Sequence, residues 1–180
     1  GIAIFTSNAP IARDDVFGGT EGSNVNGNLL SDNGTGVDTD PLGGSISVIA
    51  EIITTSGGGT VSILGTGNFT YVPATNFEGT DTFNYTLQNG LGETDTGLVT
   101  LNIAGVNDGP VAQNDDFVAT KNIDLSGDLL TDNGNGADSD IETVILSTQA
   151  ETITTSNGAT VTINADGTFT YTPPTGFVGP

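Results

Sequence analysis

The sequence predicts an all-β protein built from two tandem β-sandwich modules, of which the second is incomplete. Three observations lead to this prediction: short runs of alternating apolar residues, turn-forming residues between the runs, and a match of the chain with itself. The chain has 180 residues, of which 27 are Gly and only 34% are hydrophobic. Because the apolar residues are mainly Val, Ile, Leu, Phe and Tyr in alternating runs, they indicate small β domains rather than disorder.

The self-match has a period of 100 residues. Leu29–Gly34 returns as Leu129–Gly134, and Phe69–Pro73 returns as Phe169–Pro173. Between residues 28–79 and 128–179, 27 of 52 ungapped positions are identical. A period of this length is that of a sandwich domain in an array, not of a solenoid repeat. In the leading segment, Asp14-Asp15 is matched with Asp115-Asp116, which lies one residue out of register and predicts a single insertion or deletion.

The repeat also sets the predicted domain boundaries. Residues 1–7 form an isolated N-terminal strand, residues 8–106 form the first module, and residues 107–180 form the second module. The joint between the modules is Asn107-Asp108-Gly109-Pro110. The second module has no equivalent of Thr80–Ile103, which reads as two long strands in the first module. The second sandwich is therefore predicted to lack its last two strands.

Strands are predicted wherever β-branched and aromatic residues alternate between Gly, Asn, Asp and Pro turns. Seven such strands per 100 residues is the number expected of an immunoglobulin-like sandwich. Asp81, Phe83 and Tyr85 alternate on one face, so Tyr85 is either the tyrosine that closes a corner of such sandwiches or a plain core residue. The predicted strands of the first module are 11–17, 24–30, 45–55, 60–64, 68–72, 81–88 and 97–104.

Composition excludes several functions. The chain has 22 acidic and 2 basic side chains, a formal charge of −20, and no His or Cys. It therefore has no Ser-His-Asp triad, zinc finger or disulfide framework. Arg13 and Lys121 are the only cations, so no basic patch is predicted for nucleic acid or anionic lipid. No apolar run approaches the ~20 residues of a membrane span.

The acidic residues are concentrated in turns. Strand alternation directs the two carboxylates of an Asp-x-Asp pair to one side, where both can reach one ion, and Ca²⁺ prefers six to eight oxygen ligands of this kind. The alternative is that these acids only keep the surface soluble. Their recurrence in the second copy favours calcium. The candidate ligands are Asp14, Asp15, Asp32, Asp38, Asp40 and Asp108, with Asp115, Asp116, Asp132, Asp138 and Asp140 in the second module.

Three strings together resemble a known family. They are Ala-Pro-x-Ala-x-Asp-Asp from Ala9, Gly-Asn-Leu-Leu-x-Asp-Asn-Gly-x-Gly-x-Asp-x-Asp-Pro from Gly27, and Phe-Thr-Tyr-x-Pro-x-x-x-Phe-x-Gly-Thr-Asp-x-Phe-x-Tyr from Phe69. Residues 8–180 resemble the tandem bacterial Ig-like, or cadherin-like, repeats of large secreted calcium-dependent surface proteins. The resemblance implies an immunoglobulin-like sandwich, an extracellular location on the bacterial cell surface, calcium near module joints, and a role as an adhesin or extender.

The resemblance also implies additional calcium ligands at the joint. Asn107 and Asp108 are similar to the Asn-Asp that precedes Pro in the cadherin linker, and Glu21 matches an early-strand Glu that caps such a site. The second module has Lys121 in the region of Glu21. A site in that module would therefore differ in composition or affinity.

The predicted function is a non-enzymatic extracellular structural and adhesive repeat module, rigidified by Ca²⁺, whose partners are neighbouring repeat modules. One alternative is a filament subunit, in which Ile2 and Ile4 supply a β-strand to another copy. A second alternative is a carbohydrate-binding module, which needs exposed aromatic rings. An enzyme is not expected, since only a shifted carboxylate could act in proton transfer near neutral pH.

Overall fold

The computed structural model describes residues 8–143 and 145–178. The chain divides into two compact units, one ending at Val106 and the next beginning at Asn107. The described residues contain strands, turns and isolated bridges, and no helix among them could span a membrane. The two units are called the first and second module below. The predicted N-terminal strand, residues 1–7, lies outside the described residues.

The first module is a sandwich of two four-stranded sheets. One sheet has the order β1-β8-β7-β3 and the other the order β2-β6-β5-β4. All pairings are antiparallel except that of β1 with β8, which is parallel. The strands are β1 Asp15–Thr20, β2 Val25–Asn28, β3 Ile46–Val48, β4 Glu51–Thr54, β5 Thr60–Ile63, β6 Asn68–Val72, β7 Gly79–Asn89 and β8 Thr94–Ala104.

Most predicted strands of the first module are present, but two predictions need correction. The single strand predicted at 45–55 is two strands, because the chain leaves one sheet after β3 and enters the other at β4. Ile49 N still donates to Thr86 O of β7 at 2.9 Å, whereas Ile52 already pairs with Ser62 of β5. The strand predicted at 11–17 begins only at Asp15, and Ile11 forms an isolated bridge with Thr39.

The core of the first module lies between the two sheets. Along β7 the buried residues alternate as predicted, and Phe83, Tyr85 and Leu87 point inward. Phe69 of β6 packs edge-on against Phe83, with ring centroids 5.7 Å apart. Burial of these side chains is the main stabilising contribution to such a sandwich. The other core residues are Val25, Leu29, Val48, Val61, Ile63, Tyr71, Val99, Leu101 and Ile103.

The close approach of a tyrosine ring to the backbone explains one glycine of β8. A Cβ placed at Gly97 would lie 2.4 Å from Cε1 of Tyr85, which pairs with it across the two strands. Only glycine leaves room for the ring at this position. The Tyr85 ring therefore packs directly against the backbone of β8 at Gly97.

The second module contains one four-stranded antiparallel sheet of the order β10-β11-β12-β9. This order repeats that of β4-β5-β6-β2 in the first module. The described residues of the second module include no strand equivalent to β1, β3, β7 or β8. The strands are β9 Leu125–Asp128, β10 Glu151–Thr154, β11 Thr160–Ile163 and β12 Thr168–Thr172.

The predicted insertion or deletion in the leading segment is wrong. The Ile11–Thr39 bridge returns as Val111–Ser139, an offset of 100 on both sides. The backbone carbonyl oxygen of Asn33 accepts from the amide of Val16, and that of Asn133 accepts from the amide of Asp116. Asp115-Asp116 resembles Asp14-Asp15 only by residue identity, and the two pairs are not structurally equivalent. Asp115 is therefore the counterpart of Asp15, while Asn114 and Asp116 stand in place of Asp14 and Val16.

Candidate functional site

Asp15 is the most unusual of the predicted ligands. It begins β1, is 1% exposed, and its Oδ2 atom has no hydrogen-bond partner. Burial, together with the charges of Asp38, Asp14 and Asp32, raises the pKa of Asp15 to about 7, although hydrogen bonding from Asn33 lowers it. An ionised, buried carboxylate oxygen without a partner is costly. A proton or a cation at Asp15 would remove that cost.

Asp38 is buried beside the hydroxyl of Tyr85. Its Oδ1 accepts from Arg13 N at 2.7 Å, and its Oδ1 and Oδ2 lie 3.0 and 2.9 Å from Tyr85 Oη. Tyr85 Oη also lies 2.8 Å from the Arg13 carbonyl oxygen. Since the hydroxyl has one proton, it can donate to only one of these acceptors at a time. Burial raises the pKa of Asp38, against the hydrogen bonds from Arg13 and Tyr85.

This geometry decides between the two predictions for Tyr85. The side chain is fully buried, but its hydroxyl does not bond to the backbone a few residues upstream, as a corner tyrosine does. It instead joins β7 to the Arg13 backbone and to the loop that carries Asp38. Tyr85 is therefore a core residue whose hydroxyl hydrogen-bonds to two loops that are far apart in the sequence, at Arg13 and at Asp38.

We expect Tyr85→Phe to lower the free energy of unfolding of the first module by about 1–2 kcal/mol, since it leaves a buried carboxylate and a carbonyl without this donor. Urea denaturation of the full chain followed by hydrogen exchange of β7 measures the loss. The matched control is Tyr171→Phe, because the Tyr171 hydroxyl has no hydrogen-bond partner among the described residues. Equal effects of the two substitutions would contradict the assigned role.

The recurring acids of the 32–44 loop cap backbone amides. Asp32 Oδ1 accepts from Gly34 N and Gly36 N at 3.3 and 3.1 Å, and Asp132 makes the same pair of bonds, both at 3.0 Å. These bonds lower the pKa of Asp132. Asp40 accepts from Leu42 N and Gly44 N, and Asp140 from Glu142 N and Thr143 N. Side-chain capping of loop amides thus accounts for the recurrence of these acids without a cation.

The remaining predicted ligands are dispersed. Among residues 8–143 and 145–178, no group of three acidic side chains is close enough to hold one metal ion. Each of the following hydrogen bonds lies within one module: Asp14 Oδ1 with Leu98 N, Glu21 Oε2 with Val106 N, Asn107 Nδ2 with Asp108 O, Asp108 N with Glu142 Oε2, Asp115 Oδ1 with Asn133 Nδ2, Asp116 Oδ2 with Asn135 Nδ2, and Asp138 Oδ1 with Gln113 N.

Sequence reasoning missed a buried polar network around Asp81. This side chain is 1% exposed and accepts hydrogen bonds from the Thr55 hydroxyl, from Gly57 N at 3.1 Å and from the Tyr71 hydroxyl at 2.9 Å. Burial pushes the pKa of Asp81 upward, but hydrogen bonds led by that of Thr55 outweigh it and hold the pKa below its usual range. A signal was present, because alternation along β7 puts Asp81 on the same inward face as Phe83.

The aromatic side chains bear on the carbohydrate-binding alternative. Every Phe and Tyr among the described residues is buried or partly buried, and none is exposed. Stacking on a sugar ring needs an accessible aromatic face. The carbohydrate-binding alternative therefore gains no support from a fully exposed aromatic ring, and it stays a prediction.

The two-sheet first module, the matching sheet of the second, and the loops repeated at an offset of 100 define tandem immunoglobulin-like β-sandwich modules. The model of the bacterial Ig domain family matches residues 7–102 and, a second time, residues 107–180. The chain belongs to the bacterial Ig domain family. Domains of this class typically serve as structural and adhesive repeat modules and are typically non-enzymatic.

No curated protein matches the chain. Among solved structures, a nucleoside hydrolase-related hypothetical protein from Saccharophagus degradans is 16% identical, with a TM-score of 0.38, over 50% of this chain and 22% of that one. The endo-fucoidan hydrolase MfFcnA4 is 12% identical, with a TM-score of 0.43, over 95% of this chain. The chain spans 25% of the length of MfFcnA4. Likenesses at these TM-scores carry no argument about function.

Proposed function

We propose that this chain is a calcium-stabilised repeat segment of an extracellular bacterial surface protein, with a structural and adhesive role. Membership of the bacterial Ig domain family supports the repeat-module part of this proposal. Neighbouring repeat modules would be its partners. The formal charge of −20 suits an extracellular polyanion that is partly neutralised by divalent cations.

The single observation that supports calcium is the unpartnered, buried Oδ2 atom of Asp15. Charges of Asp14, Asp32 and Asp38 act on the same carboxyl, and all of them raise its pKa. A divalent cation would reverse the sign of that local field and supply the missing partner. Asp15 is therefore the side chain most in need of a cation.

The carboxylates near Asp15 could supply some, but not all, of the oxygen ligands that a calcium ion needs. Asp32 and Asp38 already accept backbone amides, but a carboxylate has further lone pairs that can bind an ion. Ca²⁺ takes carbonyl, amide and water oxygens as well as carboxylates. An ion at Asp15 would therefore need the Asn33–Gly36 backbone and water to complete its shell. The predicted ion at Glu21, Asn107 and Asp108 remains a prediction.

Calcium at Asp15 should raise the melting temperature of the first module. Millimolar Ca²⁺ at 100 times its Kd would add about 2.7 kcal/mol, and each 1 kcal/mol corresponds to about 4–8 °C for a domain of this size. Calorimetry of the full chain in Ca²⁺ and in EDTA measures the shift.

The matched variants for this experiment are Asp15→Asn and Glu51→Gln. Glu51 is an exposed acid on β4, so its loss changes the net charge by the same amount away from the site. We expect Asp15→Asn to abolish the calcium shift and Glu51→Gln to preserve it. An equal melting temperature in Ca²⁺ and in EDTA would contradict the calcium part of the proposal and would not affect the repeat-module assignment.

A further inference from the structure

The first and last strands of the first module are neighbours that run in the same direction. β1 pairs in parallel with β8 in one continuous register, from Asp15 opposite Val99 to Thr20 opposite Ala104. At about 3.3 Å per residue this pairing is about 20 Å long. The chain enters the pairing at Asp15 and leaves it at Ala104. The entry and the exit therefore lie at opposite ends of the paired strands.

This arrangement determines how a pulling force acts on the paired strands. A force that draws the two ends of the module apart acts along the strands and loads all of their hydrogen bonds together, in shear. When a force instead separates two strand ends that lie side by side, it loads the bonds one after another. Since a single backbone hydrogen bond is weak, a strand pair resists shear far better than stepwise separation.

We propose that β1 and β8 form a mechanical clamp, which bears tension applied between the two ends of the first module. Tension of this kind arises when a module is held between neighbouring repeats, so the inference rests on the proposed function as a repeat segment. Under such tension the module unfolds only when the whole parallel pairing breaks. The resistance belongs to this pulling direction and not to the module as a whole.

Two acidic residues extend the clamp beyond both ends of the paired strands. Asp14 Oδ1 accepts from Leu98 N at 3.0 Å, one position before the first pair. Past the last pair, Glu21 N donates to Ala104 O at 2.8 Å. Glu21 Oε2 also accepts from Val106 N at 3.0 Å. These bonds are loaded together with those of the strands, because they join the same two segments.

The packing of β1 on the core opposes sliding in the same direction. Phe17 is half-buried and packs edge-on against Phe69 of β6, with ring centroids 4.8 Å apart. A Cβ at Gly19 would overlap the side chain of Val25, so the backbone of β1 passes close to β2. Movement of β1 along β8 must therefore pull the Phe17 ring out of its contact with Phe69.

The segment that precedes β1 is held by isolated contacts. Asn89 Nδ2 donates to Asn8 O at 2.8 Å, and Ala12 N donates to Asp95 Oδ2 at 2.9 Å. Ile11 forms a single bridge. Such separate contacts are loaded in turn when residue 8 is pulled. Among the described residues, β1 is therefore the first continuous pairing that tension reaches from this side.

Single-molecule force spectroscopy of the full chain in EDTA tests the clamp. The chain has no Cys, so two engineered cysteines provide unique attachment points. Asn8→Cys with Asn107→Cys loads β1 and β8 in shear, whereas Ser23→Cys with Asn107→Cys separates their adjacent carboxyl-terminal ends. All three positions are exposed. Because forced unfolding follows the unfolding rate in the pulled direction, we expect the force to be about twofold or more higher in shear.

Side-chain variants separate a mechanical role from a general effect on stability. Asp14→Ala with Glu21→Ala should lower the unfolding force in shear and leave the force in the other geometry nearly unchanged. The matched control is Glu51→Ala, an exposed acid on β4 of the other sheet, which should leave both forces unchanged. If the double variant does not fold, the two geometries of the unsubstituted module still decide.

Equal forces in the two geometries would overturn the proposal. So would an equal loss of force in both geometries for the double variant, since the two acids would then act on stability alone. The measurement in EDTA keeps this result apart from the calcium proposal. A low force in shear does not affect the expected calcium shift of the melting temperature, and a missing calcium shift does not affect the ratio of the two forces.

Discussion

Replacing Asp81 with asparagine is expected to destabilise the first module by about 3 kcal/mol or more. Hydrogen bonds to a charged group contribute about 1.5–3 kcal/mol each, and donors left unsatisfied in a buried site add their own cost. The substitution places an amide NH₂ among the Thr55 hydroxyl, Gly57 N and the Tyr71 hydroxyl, all of which donate to Asp81. All three groups lie outside β7, and Tyr71 belongs to β6 of the other sheet, so the loss affects both sheets.

Chemical denaturation of the full chain, with hydrogen exchange of β7 and β8, measures this effect. The control is Glu51→Gln, an exposed acid of the first module, which is expected to change the stability little. A second readout is the titration of Tyr71, whose pKa is raised to about 12 by burial and by its hydrogen bond to Asp81. Loss of the carboxylate should lower that pKa. A stable Asp81→Asn variant with an unchanged tyrosine titration would show that the network is not formed.

The first module is expected to lose stability as the pH rises from about 4 to about 7 in the absence of calcium. The pKa of Asp15 is raised to about 7 in the folded state, against about 3.9 in the unfolded chain. The folded state therefore holds the proton more tightly, and its advantage is complete below the unfolded pKa and lost as the pH passes the folded one. The slope is at most about 1.4 kcal/mol per pH unit.

Two other buried carboxyl groups, Asp38 and Asp81, also contribute to the pH dependence of stability. The raised pKa of Asp38 acts in the same direction as that of Asp15, whereas the lowered pKa of Asp81 contributes stability that is lost only at acidic pH. Urea denaturation across this range, in EDTA and in Ca²⁺, measures the slope. Asp15→Asn should flatten it, and calcium should flatten it in the unsubstituted chain. A slope that Asp15→Asn leaves unchanged would contradict the burial of this carboxyl.

Much of the fold could be predicted from the sequence because its signals are local. Alternation identified β5, β6, β7 and β8 to within a few residues, since a half-buried strand needs a period of two. The offset of 100 identified the two modules, which the structure has as two compact units. The family resemblance rested on the same strings.

The candidate site was less predictable because burial is a property of the packed sheets. Asp14 and Asp15 are adjacent and of the same residue type, but the parallel pairing of β1 with β8 turns Asp15 inward and leaves Asp14 exposed to cap Leu98 N. The caps made by Asp32 and Asp40 likewise depend on the path of their loops. Acid spacing alone could not separate these roles.

By itself, the sequence determined the β class, the two-module organisation and the inward face of β7, because each follows from the residue order along one strand or from the comparison of two copies. Only the tertiary structure decided that Asp15 and Asp81 are both buried, and that the pKa of Asp15 is raised whereas that of Asp81 is lowered. Asp81 accepts hydrogen bonds from two other segments of the first module, residues 55–57 and β6, whereas the charges of three other carboxylates act on Asp15. The field at a buried carboxyl is set by groups distant in sequence, and folding alone brings them together.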